Sequence, residues 1–450
     1  MVGRGQDLRQ EFRACLGLAT PLALAQLAQM ATGFFDTVMM GRLGSEAIAG
    51  GGLGAITFNF LMMVAGGLLS AVSPLVAEAF GAEDGARIRR IFWQGIGLAL
   101  VVSLGCMGLL GQAQLWLPLL GQTAETMPLT QQYLGTVLWA CPLAFVFIAL
   151  RSFVAALGLT RPVMAIVIAG TAINVAGNYS LALGKFGLPP LGLRGIALAS
   201  VLASLLMLLA MVVYLVWQPR VRPYGLWQRT RLRHSELMEL LRVGLPIGGL
   251  AAVEGGLFTV TSFLMAGLGT VALAAHQIAL QTAAMTFMVP MGVAMAAIIR
   301  VGQLMGQKQF EMARRAGQVA IAVGGCFMGA MALVMWLVPG AIVALYIDIQ
   351  QPANQAVVAM AKTLLGVAAV FQIVDGIQVT AAGALRGLKD TRIPLLIGVI
   401  AYWCIGLLVG YGLAYWGNLG GIGLWWGLAV GLLFAAITLS WRFNRLLTER

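Results

Sequence analysis

Long uncharged apolar runs of about 20 residues, divided by short charged, glycine- and proline-bearing segments, dominate this chain. A run of that length spans the hydrocarbon core of a bilayer as one α-helix. Hydrophobic residues make up 60% of the 450 residues and charged residues 10%, whereas soluble domains carry roughly 25% charged residues. Strands of a membrane barrel would instead show short alternating segments. We therefore predict an all-α polytopic membrane protein.

Cutting the chain at its charged segments predicts twelve transmembrane helices, at residues 16–40, 47–76, 91–111, 130–151, 162–184, 194–217, 243–267, 272–299, 315–338, 359–384, 394–416 and 421–441. The first run is long enough to span, so we expect an uncleaved helix rather than a secretion signal. With both termini in the cytoplasm, all but four of the 28 Lys and Arg residues fall on the cytoplasmic side. The net charge of +12 therefore reflects topology, and no nucleic-acid partner is expected.

The second half of the chain repeats the first at an offset of 225 residues. The matches include Pro21 with Pro246, Leu43-Gly44 with Leu268-Gly269, and Arg89-Arg90 with Arg314-Arg315. Because each half has six helices, both halves begin on the same side of the membrane. This pattern predicts two parallel six-helix repeats, as in transporters that work by alternating access. We place the N-lobe at residues 1–217, a cytoplasmic linker at 218–242 and the C-lobe at 243–450.

Three acidic residues lie inside apolar runs: Asp36, Glu254 and Asp375. A charged side chain in the middle of a bilayer costs about 2.5–3.5 kcal/mol on insertion scales. The sequence offers no Lys or Arg inside the membrane as an obvious partner, since Arg151 and Arg300 fall near cytoplasmic ends. Carboxylates in that position mark an ion or substrate path. The alternative is a structural role in holding helices together.

Polar and flexible side chains near these acids complete the candidate sites. Asn174 and Asn178 share one helical face, where they could join Asp36 to coordinate Na⁺ or relay a proton, or simply hold helices together. In the second half, the candidate substrate-binding residues beside Glu254 and Asp375 are Gln277, Gln281, Met285, Met288 and Phe371. Methionine is a pliable lining for promiscuous sites, although Met at helical spacing also serves ordinary packing.

Four motifs make the chain resemble the multidrug and toxic compound extrusion (MATE) family, in its NorM-like branch: "FFDTVMMGRLG" (34–44), "GLPIGGLAAVEGG" (244–256), "AAHQIA" (274–279) and "GALRGLKDTRIP" (383–394). The resemblance implies two lobes around a central cavity. It makes Asp36, Glu254 and Asp375 the cation and substrate carboxylates, with Asn174 and Asn178 as N-lobe amides. Phe371 stands where several relatives have Tyr, and the missing hydroxyl weighs against Na⁺ binding there.

The resemblance further implies export of bulky, cationic, amphipathic compounds in exchange for inward Na⁺ or H⁺. Na⁺ would bind at Asp36 or at Glu254 and Asp375, and we expect no cofactor beyond this coupling ion. Low dielectric disfavours a bare carboxylate, so each site would exchange one positive species for another. We expect a monomer in a bacterial-type inner membrane.

Three other classes of protein compete with this interpretation. A flippase for lipid-linked pyrophosphates should line its cavity with Arg or Lys, whereas the buried charges here are acidic. An acid-lined cation channel would conduct ions without alternating access. The parallel repeats favour alternating access and therefore a transporter. A membrane enzyme needs a catalytic motif, and the sequence has no P-loop, no H-E-x-x-H and no nucleophile elbow. We therefore predict a transporter driven by an ion gradient.

Overall fold

The computed structural model describes residues 2–118, 126–185, 187, 189–228, 230–231 and 233–449, with side chains from residue 9 onward. Its regular structure is helical throughout this part of the chain. The α-helices are α1 (Val2–Leu43), α2 (Ser45–Leu69), α3 (Val72–Gly81), α4 (Gly85–Gly111), α5 (Ala113–Trp116), α6 (Met127–Val137), α7 (Ala140–Ala156), α8 (Thr160–Gly177), α9 (Leu193–Trp217), α10 (His234–Gly267), α11 (Thr270–Gly306), α12 (Phe310–Leu337), α13 (Pro339–Ala344), α14 (Gln355–Gly387), α15 (Arg392–Val399), α16 (Leu408–Tyr411) and α17 (Gly420–Thr448).

Π-helical segments interrupt two of the long helices. One follows α8, and the other two flank α16, so that α15 to α16 and their π segments form one continuous span, Arg392–Trp416. The π segments are Asn178–Ala182, Ile400–Leu407 and Gly412–Trp416. Single π turns inside helices occur frequently at functional sites.

Within the described residues, eleven helices are long and apolar enough to cross a membrane, and the bent pair α6–α7 makes a twelfth span. That pair was predicted as one helix, 130–151, but its halves meet at 49°. The cause is Pro142, which has no N–H to donate to the carbonyl of Leu138 one turn earlier. The all-α membrane fold is thus confirmed, with one span broken.

Several helices extend beyond the predicted apolar runs. α1 begins at Val2 rather than at residue 16, and α10 begins at His234 rather than at 243. Charged residues end an apolar run without ending a helix, because Arg and Glu are good helix formers. Residues 234–242, which we assigned to the linker, are therefore the first turns of α10.

The internal repeat is visible in the conformation of its turns. Gly44 and Gly269, which are 225 residues apart, have φ angles of 113° and 114°. Glu83 and Lys308, at the same offset, are both left-handed, with φ of 57° and 60°. A non-glycine residue rarely adopts that conformation. The two halves therefore share the same backbone turns even where their side chains differ.

Packing divides the chain into two compact units. The amino-terminal unit is Leu27–Gly248, and the carboxy-terminal unit is Met1–Gln26 with Gly249–Arg450. The predicted lobes follow the sequence repeat, whereas this division falls inside α1 and α10. The part of α1 up to Gln26 belongs to the carboxy-terminal unit, and the part of α10 up to Gly248 belongs to the amino-terminal unit.

Two close helix crossings, one in each unit, occur at glycines of α2 and α11, where these helices pack against α10 and α1. In the amino-terminal unit, a Cβ on Gly67 of α2 would lie 3.0 Å from the Cα of Gly248 in α10. In the carboxy-terminal unit, a Cβ on Gly292 of α11 would lie 2.7 Å from the Cα of Ala23 in α1. Both pairs are related by the 225-residue offset. Small residues thus permit the same close helix crossing twice.

The segment between α9 and α10 contacts α4 within the amino-terminal unit. Trp93 Nε1 of α4 donates to the carbonyl of Leu226 at 2.7 Å, and Gln94 Nε2 donates to the carbonyl of Arg233 at 2.7 Å. Arg90 of the same helix pairs with Glu236 at 2.8 Å. These contacts tie the segment between α9 and α10 to α4.

Candidate functional site

In the amino-terminal unit, Asp36 is hydrogen-bonded to one of the two predicted asparagines and is linked through it to the other. Asn178 Nδ2 donates to Asp36 Oδ1 at 2.5 Å and to Asn174 Oδ1 at 3.2 Å. Asn174 Nδ2 in turn donates to the hydroxyl of Ser200 on α9 at 3.1 Å. Three helices, α1, α8 and α9, therefore supply one polar cluster. Ser200 is its additional member, which the sequence analysis missed because a lone Ser in an apolar helix carries no signal.

The amide part of the cluster is buried, and one of its oxygens has no hydrogen bond among the described residues. The side chains of Asn174 and Asn178 are buried. The Oδ1 of Asn178 has no hydrogen-bond partner among the described residues. A buried amide oxygen normally has a partner. Asn178 also opens the π segment Asn178–Ala182. A free amide oxygen beside a carboxylate, at a widened helical turn, supplies oxygens of the kind that hard cations prefer.

Further hydrogen bonds fix the second half of α1 against its neighbours. Thr32 and Thr171 of α8 share a hydroxyl contact at 3.0 Å, and Thr171 also donates to the carbonyl of Ala28 at 3.0 Å. Arg151 of α7 donates to Gln29 at 3.0 Å. These bonds lie one and two turns before Asp36. They hold the Asp36 carboxylate in position relative to α8.

In the carboxy-terminal unit, Glu254 of α10 and Asp375 of α14 interact electrostatically. The Asp375 side chain is only 7% exposed. Within the described part of the chain, neither carboxylate has a hydrogen bond or an ion pair. The structure therefore brings together the two acids predicted for this half, and it leaves their oxygens available to another group.

Arg386 is a partner that the sequence analysis did not foresee. It lies on α14 and interacts electrostatically with Glu254, although no ion pair joins the two side chains among the described residues. Tyr402 interacts electrostatically with Glu254, Asp375 and Arg386, and its buried hydroxyl has no hydrogen-bond partner among the described residues. Arg386 lies eleven residues after Asp375 on the same helical face. The motif "GALRG" contained this signal, but we had assigned its arginine to the cytoplasmic edge.

The candidate substrate-binding residues separate into two settings. Four of these side chains are spaced along one face of α11: Gln277, Gln281, Met285 and Met288. The first three are exposed, with Met285 at 51%, and Met288 is half-buried. Phe371, in contrast, is 2% exposed and packs edge-on against Trp425 at 5.3 Å and Phe258 at 6.3 Å between ring centroids. Phe371 therefore belongs to the packed interior of the unit.

A buried histidine completes this aromatic group. Trp425 Nε1 donates to His276 Nδ1 at 3.2 Å, and His276 Nε2 lies 3.1 Å from the hydroxyl of Ser262. Because Trp can only donate, His276 Nδ1 accepts and its proton resides on Nε2, facing Ser262. No group of three or more His, Cys, Asp or Glu side chains suited to a metal occurs among the described residues. Any cation bound here would depend on carboxylate and amide oxygens.

Fold and site together define a class: a polytopic helical membrane protein with internal repeats and intramembrane acids in each half. One family model, described as MatE, matches residues 21–180 and 246–412. Its two matches begin at the 225-residue offset of the repeat. The chain therefore belongs to the MatE family. Members of this family are transporters, so the chain is a transporter rather than an enzyme.

Curated relatives and solved structures agree with this placement. The chain is 42% identical to the "Probable multidrug resistance protein NorM" of Synechocystis sp., over 98% of this chain and 96% of the relative. It is 43% identical to the protein of the same name from Pseudomonas aeruginosa, over 98% and 91%. The crystal structure of the eukaryotic MATE transporter AtDTX14 superposes with a TM-score of 0.85 at 20% identity, covering 98% of both chains.

Proposed function

We propose that this protein exports bulky, cationic, amphipathic compounds across a bacterial inner membrane in exchange for inward Na⁺ or H⁺. The relatives named as multidrug resistance proteins support the export of drugs. The observation that carries the cationic substrate class is the pair Glu254 and Asp375, two intramembrane carboxylates without hydrogen bonds among the described residues. Acids left open in this way mark an ion or substrate path.

The charge of this site supports exchange of one positive charge at a time. Ionised Glu254 and Asp375 carry two negative charges, and the nearby Arg386 contributes one positive charge. The set is left with a net charge of minus one, which one organic cation, one Na⁺ or one proton would neutralise. An empty site bears an uncompensated charge in low dielectric, which is costly. Release of one cation is therefore favoured when another is available.

The two units support a division of work between sites. Asp36, Asn174 and Asn178 form a hydrogen-bonded cluster with one free amide oxygen, which suits a small ion. Glu254 and Asp375 are not tied to neighbours by hydrogen bonds, which suits a larger and variable cation. We therefore assign the coupling ion to Asp36 and the organic cation to Glu254 and Asp375. The accessible face of α11, from Gln277 to Met288, would contact the apolar part of the substrate.

Topology and assembly complete the proposal. Both termini lie in the cytoplasm, because that orientation places nearly all Lys and Arg on the inner side. The protein works as a monomer, since one chain contains both repeats and both acid clusters.

The experiment that tests the function is transport by purified protein in liposomes. Na⁺ and H⁺ gradients are imposed separately, and the movement of a fluorescent organic cation against its own gradient is recorded. Uphill movement with one of the gradients is the expected result. Ohmic current independent of the organic cation would instead indicate a channel, and transport of a lipid pyrophosphate without any effect on organic cations would indicate a flippase.

A further inference from the structure

A groove that the transport proposal does not use lies between α1 and α12, within the carboxy-terminal unit. Its cavity of about 560 Å³ is lined by Arg9, Phe12 and Arg13 of α1 and by a stretch of α12 from Val319 to Cys326. That volume is within the usual range for a small-molecule site. The α12 wall is apolar, so the groove has two cationic groups over a hydrocarbon surface.

The two arginines are not neutralised by the acid between them. Arg9 and Arg13 are four residues apart and share one face of α1. Glu11 is turned away, and its buried carboxylate receives two hydrogen bonds from Arg300 of α11, at 2.9 and 2.5 Å. Among the described residues, no acidic side chain pairs with Arg9 or Arg13. The groove therefore keeps two positive charges available for an anion.

The chemistry of this groove selects an amphipathic anion. A cationic drug would be repelled by both arginines, and a free inorganic anion would gain nothing from the exposed Phe12, which is 46% accessible. The α12 wall of the groove begins four residues after Arg315 in the chain, next to the basic band that we predict to be cytoplasmic. Arginine recognises phosphate through paired N–H donors.

We propose that this groove binds an anionic phospholipid of the inner leaflet. Arg9 and Arg13 hold its phosphate, and an acyl chain lies along Phe12 and the stretch of α12 from Val319 to Cys326. The bound lipid bridges α1 and α12 at these residues. It supports the same end of α1 that the Glu11–Arg300 ion pair fixes to α11.

The test uses the full-length protein purified in detergent and incubated with dioleoylphosphatidylglycerol or dioleoylphosphatidylcholine, with retained lipid counted by native mass spectrometry. Wild-type protein should retain the anionic lipid preferentially. An Arg9→Gln/Arg13→Gln variant should lose affinity for it by roughly 30-fold, the order expected for two arginine charges near a lipid headgroup. Cys326→Trp, which fills the groove and leaves the arginines intact, should also reduce retention.

A matched control is Arg220→Gln/Arg222→Gln, which removes two exposed arginines of the linker in the other unit. This control should retain phosphatidylglycerol as wild type does. The native Cys326 thiol gives a second readout, since added phosphatidylglycerol should slow its reaction with a maleimide. Equal retention of both lipids by wild type would overturn the proposal. So would equal losses in the control and in the Arg9/Arg13 variant, because charge anywhere on that face would then suffice.

Discussion

The two units have the same backbone frame but hold their acids in different ways. Asp36 of the amino-terminal unit is bonded to an amide, whereas Glu254 and Asp375 of the carboxy-terminal unit have no hydrogen bond among the described residues. At the 225-residue offset, Asp36 corresponds to Thr261 and Glu254 corresponds to Gln29. The repeat therefore differs at these two positions, where one unit has an acid and the other has a neutral polar side chain.

The helices beside these acids differ as well. The span Arg392–Trp416 of the carboxy-terminal unit carries Gly406 and Gly410, whereas the helix after Thr160 in the amino-terminal unit carries Asn174 and Asn178. A Cβ on Gly427 of α17 would overlap the Cα of Gly410. The carboxy-terminal unit thus uses these glycines for close helix packing, whereas the amino-terminal unit has amide side chains in the cluster of Asp36. One half therefore has a hydrogen-bonded carboxylate and amides, and the other has a pair of acids without hydrogen bonds among the described residues.

The largest expected effect is on the open pair of acids. Glu254→Gln and Asp375→Asn should each reduce export of an organic cation at least about 100-fold, because removing one charged partner from a buried site costs several kcal/mol. Export is measured in everted vesicles, with membrane expression checked in parallel. Glu449→Gln, an exposed acid near the end of α17, is the control and should transport normally. Normal export by either acid variant would remove that acid from the mechanism.

Asp36→Asn should abolish the coupling between the ion gradient and transport without abolishing binding of the organic cation. Without the charge that holds the coupling ion, the variant should lose its response to an imposed Na⁺ or H⁺ gradient while it still binds the organic cation. Binding is measured by fluorescence anisotropy and gradient response in proteoliposomes. If the variant keeps its full gradient response, the assignment of the coupling ion to this cluster is wrong.

The matched glycine contacts provide a structural test of the shared frame. Gly292→Ala should lower stability by about 1–3 kcal/mol, as overpacking does, since the new Cβ would lie 2.5 Å from the backbone nitrogen of Ala23. Gly67→Ala should cost less, with a closest contact of 3.0 Å. Gly105→Ala in α4, which meets nothing within 4 Å, is the control. Thermal unfolding in detergent ranks the stability losses of these variants. A larger loss for Gly67→Ala than for Gly292→Ala would contradict the packing of α1 against α11.

Arg386→Gln should strengthen cation binding and slow release. Loss of one positive charge leaves two uncompensated carboxylates, so the dissociation constant for an organic cation should fall about tenfold, the order for a unit charge at intermediate dielectric. Turnover should fall in the same variant. Arg392→Gln, at the exposed start of α15, should change neither quantity. Weaker binding in the Arg386 variant would show that its charge does not act on Glu254 as proposed.

The smallest effect is expected at Ser200. Ser200→Ala removes the hydroxyl that accepts a hydrogen bond from Asn174, and one hydrogen bond contributes about 1 kcal/mol. Affinity for the coupling ion should fall only a few-fold. Ser204→Ala, whose hydroxyl bonds only to a carbonyl one turn earlier in α9, should leave that affinity unchanged. Equal effects from the two variants would mean that the polar cluster ends at Asn174.

Much of the fold was predictable, because the apolar runs fix the number of spans and the repeat fixes their arrangement. Three features required the structure. The bend at Leu138 depends on a single proline, Pro142, which apolar length does not reveal. The starts of α1 and α10 lie beyond the apolar runs. The π segments depend on packing against neighbouring helices and have no local sequence signature.

The site was predictable where it contains a residue type that is energetically unfavourable inside a bilayer. Asp36, Glu254 and Asp375 stand out because a bilayer penalises charge, and Asn174 and Asn178 because their spacing puts them on one face. Arg386 and Ser200 were missed. A hydroxyl can satisfy itself within its own helix, and an arginine at a helix end is ordinary, so only tertiary contact reveals their roles.

The central claim is that an ion at Asp36 controls a cation held by Glu254 and Asp375. The direct measurement is the affinity of purified protein for a fluorescent organic cation, titrated with Na⁺ and with acid in wild type, Asp36→Asn and Asp375→Asn. We predict that one of the two ions weakens cation binding in wild type and has no effect in Asp36→Asn, and that Asp375→Asn binds no cation. An undiminished ion effect in Asp36→Asn, or normal binding by Asp375→Asn, would contradict the account.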